Sequence, residues 1–127
     1  MEMGKGKTIV PQEMKKRKVT REILLMPEIS VIIPVHNREG LITRAIQSVL
    51  DQSFQDFELI VVDDHSTDKT YEEVKQIKNK RIRILTHKHN RGAQAARNTG
   101  IQNSLGKWVT FLDSDDEYLE NSLHDFL

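Results

Sequence analysis

Cysteine is absent from these 127 residues, which removes disulfide staples, thiolate metal sites and a cysteine nucleophile together. Net charge is absent as well: nineteen Lys and Arg balance nineteen Asp and Glu. No overall field therefore draws the chain to nucleic acid or to an anionic membrane, and no nucleic-acid partner is expected. No apolar stretch approaches the roughly 20 residues that span a bilayer. The N-terminus lacks the apolar centre of a signal peptide. The expectation is a soluble cytoplasmic protein, with peripheral association at the inner face of a membrane still compatible. Internal repeats and low-complexity segments are missing too.

What is present divides in two. Residues 1–28 form a basic N-terminal extension in which about Gln12 to Met26 reads as a short helix, with Met14, Val19 and Ile23 as an imperfect apolar stripe. Its "KKRK" at 15–18 reads as a solvated face, and "GKGKT" lacks the leading glycine and preceding strand of a phosphate loop. From Ile29 the pattern becomes regular. "ISVIIPV" (29–35) is a β-branched run with the length and composition of a buried strand. Leu41, Ile42, Ala45, Ile46, Val49 and Leu50 then fall in pairs four apart, one face of a helix with Asn37 near its start as a cap. "FELIVV" (57–62) is a second strand, and Ser66 or Thr67 can cap the helix carrying Tyr71, Val74 and Ile77. "RIRIL" (81–85) alternates like a strand near an edge. A helix over Gly92 to Leu105 places Ala93, Ala96 and Gly100 on one side for close packing on a sheet. "KWVTFL" (107–112) is a fourth strand, and Tyr118 to Leu127 begins another helix. Alternation of this kind predicts an α/β fold, a mainly parallel sheet with helices on both faces. The last helical pattern has no C-terminal cap, so residues 29–127 are expected to be the front part of a longer domain.

In a parallel sheet all carboxyl ends share one edge, and ligands bind outside it. The polar residues gather there: His36 and Asn37 after the first strand, Asp63, Asp64 and His65 after the second, His87, His89 and Asn90 after the third, and Asp113, Asp115 and Asp116 after the fourth. Like charges about 4 Å apart repel by roughly 4 kcal/mol at an effective dielectric near 20, so three aspartates at one strand end either fan into solvent or surround a cation. "DSDD" offers oxygen ligands at Asp-x-Asp spacing, suited to Mg²⁺ or Mn²⁺. Such ions take few carboxylates and complete their shell with water and phosphate oxygens, which points to a phosphate-bearing substrate. A calcium loop would need a spaced glycine and distal glutamate that are missing, and His87 with His89 is a weak spacing for zinc. Of Asp63 and Asp64, one can brace the next helix while the other faces the ligand. Arg97, on the first turns of its helix, can reach back to phosphate or base oxygens.

Five stretches, "VIIPVHNRE", "SVLDQSF", "FELIVVDDHSTD", "NRGAQAARNTG" and "GKWVTFLDSDD", occur in the order and spacing of family 2 glycosyltransferases with the GT-A fold, and the resemblance covers roughly residues 29–127. It implies a Rossmann-like half that binds a nucleotide-diphospho-sugar, most often a UDP-sugar. The backbone around Pro34 and Val35 and the side chain of Asp64 resemble the positions that hold the base. Arg97 resembles the residue that reaches base or diphosphate. Asp113 resembles the carboxylate near ribose and metal water, and Asp115 the ligand of Mn²⁺ or Mg²⁺. Asn37, Asp63 and Ser114 complete the substrate-binding set expected here, with Asp113 and Asp115 as the metal pair. His65 departs from the asparagine or glycine common in relatives.

The implied activity is metal-dependent, inverting transfer of a sugar to an acceptor hydroxyl on a glycan, lipid-linked carrier or protein. The resemblance implies a catalytic Asp or Glu well after "DSD", beyond Leu127, and Asp116 is a poorer candidate because a cation beside it would lower its basicity; the chain alone would then be an inactive donor-binding part. Two alternatives differ in class. A phospho-accepting receiver domain matches "LIVVDDHS" but needs an aspartate after the next strand, where "RIRILTHKHN" has none. A non-catalytic module would keep only the nucleotide pocket.

Overall fold

The computed structural model describes residues 7–9 and 26–127. The expected helix over 12–26 and the basic run at 15–18 lie outside the described residues, apart from Met26. The elements run β1 (Lys7–Ile9), β2 (Ile29–Val35), α1 (Ile42–Leu50), β3 (Phe57–Asp63), α2 (Thr70–Lys75), β4 (Ile82–Thr86), α3 (Ala93–Gln102), β5 (Trp108–Phe111) and α4 (Ser122–Phe126).

One five-stranded sheet has the order β1-β5-β2-β3-β4. The β5–β2, β2–β3 and β3–β4 pairs are parallel, and β1 joins β5 antiparallel. The parallel core and edge placement of β4 follow the sequence pattern. β1 does not: three residues in a basic tail carry no period long enough to predict pairing.

Alternation along the central strands builds two cores. Val31, Ile33, Val35, Leu59 and Val61 pack with Ile42, Ala45, Ile46 and Val49 of α1, Val74 of α2 and Leu123 of α4. Ile32, Ile60, Val62 and Val109 face the other way, onto Ala96 of α3. All these residues are buried, and each such side chain contributes about 1.5–3 kcal/mol relative to exposure. Gly100 explains how close α3 lies to the sheet, since a Cβ there would sit 2.6 Å from Cγ2 of Ile32. At the opposite edge, by the amino ends of β2 and β3, buried Glu58 accepts hydrogen bonds from Ser30, Arg83 and the Leu105 N–H and so fastens the turn between α3 and β5.

Register aligns the site. Val35 pairs with Asp63 and Asp63 with Thr86, so these carboxyl ends lie level. The last β2–β5 pair is Ile32 with Phe111. Pro34 falls beyond it, where its missing N–H costs no ladder bond.

Candidate functional site

A cavity of about 290 Å³ opens at this edge, lined by Pro34, Val35, His36, Arg38, Asp64, Ala93, Ala96, Arg97, Asp113, Ser114 and Asp115. Seven of the nine residues singled out from the sequence therefore share one wall-to-wall space. Asn37 and Asp63 do not line it.

Those two are spent on loop structure. Asn37 adopts φ 52°, and its side-chain oxygen accepts the Thr67 N–H at 2.8 Å. It caps no helix; the N-cap of α1 is Leu41, which makes no side-chain cap bond. Asp63 accepts hydrogen bonds from the N–H and hydroxyl of Ser66, which makes it the bracing member of the acidic pair. Ser66 and Thr67 are not the caps of α2 either. The Thr70 N–H and hydroxyl both donate to Asp68. Burial raises the Asp68 carboxyl, but the bonds from Thr70 and the Glu39 N–H outweigh it and hold it below the ordinary carboxylate value.

The loop after β2 is knitted to the loop after β3. The N–H groups of Asn37, Arg38, Glu39 and Gly40 donate in turn to Ser66, Thr70, Asp68 and Glu73. Backbone donors at a turn need partners, and here polar side chains about 30 residues away supply them. His65 sits at φ 60°, a left-handed conformation that asparagine and glycine take at lower cost.

Asp64 is buried at the back of the cavity. Its Oδ1 accepts the Arg91 N–H at 2.8 Å and His87 Nδ1 at 2.7 Å, and its Oδ2 accepts the Gly92 N–H at 2.8 Å. Burial by itself raises this carboxyl. The N–H of Arg91, the His87 ring, the N–H of Gly92 and attraction to His87 together overcome it, so Asp64 lies below the ordinary carboxylate value. A carboxylate has about four acceptor sites; three are taken, leaving one on Oδ2. The other ring nitrogen of His87 bonds Thr99 Oγ1 on α3 at 2.8 Å. Both nitrogens are thus committed, which removes His87 as a zinc ligand and sets aside the pairing with His89. Gly92, with φ 97° and ψ 162°, enters α3 through backbone space open essentially to glycine alone.

Across the cavity, Arg97 Nη2 stands 3.7 Å from Asp113 Oδ1. Its partner is across the pocket, not along its own helix. Asp113, Asp115 and Asp116 are exposed and offer one oxygen each within 4.8 Å of one another. Among the described residues they form the single cluster of three or more such ligands. The carboxylates of Asp115 and Asp116 have no protein partner among the described residues, so hard oxygen donors stand free beside the cavity. That donor set fits Mg²⁺ or Mn²⁺.

His36, Arg38, Ala93 and Ala96 also line the cavity. His36 was among the polar residues at this edge without being singled out; its Nδ1 donates to the Asp64 carbonyl at 2.8 Å. Arg38 carried a signal in its place, one residue after "HN". Nothing in the alanines' chemistry could have marked them.

The model of the family "Glycosyl transferase family 2" matches residues 30–127. A glucosyltransferase of Escherichia coli, named as UDP-Glc:alpha-D-GlcNAc-diphosphoundecaprenol beta-1,3-glucosyltransferase WfgD, is 41% identical over 95 residues, 75% of this chain and 38% of that protein. The structure of S. aureus TarS 1-349 in complex with UDP-GlcNAc superposes with a TM-score of 0.72 at 35% identity, over 78% of this chain and 30% of that one. Mannosyltransferase PcManGT from Pyrobaculum calidifontis, in complex with GDP-Man and Mn²⁺, gives 0.68 at 26%, over 73% and 29%. The curated relatives are matched over 14% to 39% of their own length. The sheet is that of the GT-A glycosyltransferases, and Thr86–His87 at the end of β4 offers no receiver aspartate. The chain belongs to glycosyl transferase family 2.

Proposed function

We propose that the cavity binds the nucleoside and diphosphate of a nucleotide-sugar, most directly a UDP-sugar, as the donor site of an inverting, metal-dependent glycosyltransferase. The observation that carries this is the joint placement of Asp64, Arg97 and the Asp113–Asp115 pair around one space. The remaining acceptor site on Asp64 Oδ2 suits the ring N–H of a base. Pro34 and Val35 offer the adjoining apolar wall. Arg97, fixed by α3, presents positive charge to phosphate oxygens, and Ser114 adds a hydroxyl at the same rim.

Asp113 and Asp115 would hold Mn²⁺ or Mg²⁺, which supplies Lewis-acid neutralisation of the departing diphosphate. The protein's own part is to orient the diphosphate between Arg97 and this loop so that charge is met where it develops. A single displacement by an acceptor hydroxyl inverts the anomeric carbon, and its proton goes to a carboxylate outside the aspartate cluster. The E. coli relative's name makes a lipid-diphosphate-linked glycan the acceptor class to try first. Such an acceptor brings the enzyme to a membrane surface. No helix among the described residues is long and apolar enough to cross one.

Titration of UDP by calorimetry, with and without Mn²⁺, tests the site. The intact chain should bind UDP more tightly with Mn²⁺, and Asp115→Ala should lose that gain while keeping its fold. Binding that ignores Mn²⁺, or a gain that survives in Asp115→Ala, would overturn the assignment.

A further inference from the structure

The loop that carries the three aspartates follows β5, and a row of side chains on the flank of α1 supports it. Arg44 and Ser48 stand four apart on α1, and Gln52 follows four later, just past the helix end, so the three form one row. Each meets the segment from Asp115 onward, in chain order. Arg44 Nη2 donates to the Asp115 carbonyl at 2.9 Å. Ser48 Oγ accepts the Tyr118 N–H at 2.9 Å. Gln52, only 2% exposed, donates to the Leu119 carbonyl at 2.6 Å and accepts the Leu123 N–H at 2.9 Å. Ser53 extends the row through its N–H to the Glu120 carbonyl.

The choice of atom at the first rung matters. Arg44 takes a backbone oxygen, and among the described residues its guanidinium pairs with no carboxylate. It therefore fixes the loop while leaving the carboxylates of Asp115 and Asp116 free. A lysine could reach with one donor but without the planar fork, and an apolar side chain could not hold the carbonyl. We infer that Arg44 is a positioning residue for the aspartate loop, the leading member of a row with Ser48 and Gln52 that splints residues 115–123 onto α1. The loop's cation cargo rests on the function proposed above; the splint itself does not.

Full chains carrying Arg44→Met and Arg44→Lys separate the two. Amide hydrogen exchange at residues 115–118 should quicken several-fold in Arg44→Met, with β2 and β3 amides and the urea midpoint unchanged. Mn²⁺ affinity in the presence of UDP, read by electron paramagnetic resonance, should fall about tenfold or more, the usual effect of losing a group that orients a ligand. Arg44→Lys should restore part of both. Unchanged exchange at 115–118 in Arg44→Met overturns the inference whatever the metal does, as does a uniform rise across the sheet. If the unaltered chain takes up no Mn²⁺ with UDP but Arg44→Met still quickens local exchange, the splint stands and the cation assignment falls.

Discussion

Replacing Asp64 by asparagine tests charge at constant shape. The asparagine oxygen can keep the Arg91 N–H and His87 Nδ1, which share Oδ1 at 2.8 and 2.7 Å. Its NH₂ group then faces the Gly92 N–H, which donates to Oδ2 at 2.8 Å, and donor meets donor. One hydrogen bond to a charged group is worth about 1.5–3 kcal/mol. The two that survive lose charge assistance, roughly half their strength. The expected loss is about 3–6 kcal/mol, a large share of a typical 5–15. Urea unfolding with an unchanged slope measures it. The control is Asp116→Asn, exposed and expected to stay within about 0.5 kcal/mol. The pH sign follows from a lowered folded value: stability from Asp64 is complete above its unfolded value near ~3.9 and is lost as pH falls through the folded one. The gap between Asp64→Asn and the unaltered chain should therefore narrow below about pH 4. A loss no larger than that of Asp116→Asn, or a gap that ignores acid, would refute the account of Asp64 as an anchored carboxylate.

Three further outcomes are expected. Gly100→Ala pushes a Cβ to 2.6 Å from the buried Ile32 side chain and should cost about 1–3 kcal/mol by overpacking; trimming Ile32 to valine in the same chain should recover part of it. His65→Gly relieves a left-handed residue at φ 60° and should raise the urea midpoint by the equivalent of several tenths to about 1 kcal/mol; a lower midpoint would count against the strain. Burial pushes the Tyr118 hydroxyl up to about 12, its bond with Thr110 opposing, so stability should fall as pH rises from about 10 toward that value. Tyrosinate absorbance should show one group titrating late, and Tyr118→Phe should remove it.

The parallel sheet and the shared edge were legible because β-branched runs such as "ISVIIPV" and "LIVV" alternate with four-apart apolar pairs. Pro34, Val35, Asp64, Arg97, Asp113, Ser114 and Asp115 followed from that topology together with the family resemblance. Asn37, Ser66 and Thr67 were expected as helix caps and are not, for a shared reason. Each is a good local cap by residue type, yet its oxygen is engaged by another loop or turn, and sequence spacing does not reveal which of two short-range bonds wins. Asp68, the residue that does bind the Thr70 N–H, has the same chemistry. The row of Arg44, Ser48 and Gln52 was hidden because the apolar face of α1 dominates its periodicity. Its partners are mostly backbone atoms, which carry no residue signature.

The stitching of the 37–40 turn to the 66–73 turn has a kinetic corollary. Four N–H groups of the first turn bond the second, and the Thr67 and Lys69 N–H groups bond back to Asn37 and Glu39, so the two cannot part without breaking several bonds at once and that rim behaves as a fixed jaw. The facing rim at 113–117 hangs on Arg44, the Arg97–Asp113 contact and the next few rungs. Entry and exit of a bound molecule then fall to the looser jaw alone, and the rates of both should respond to changes on α1 far more than to changes around Ser66.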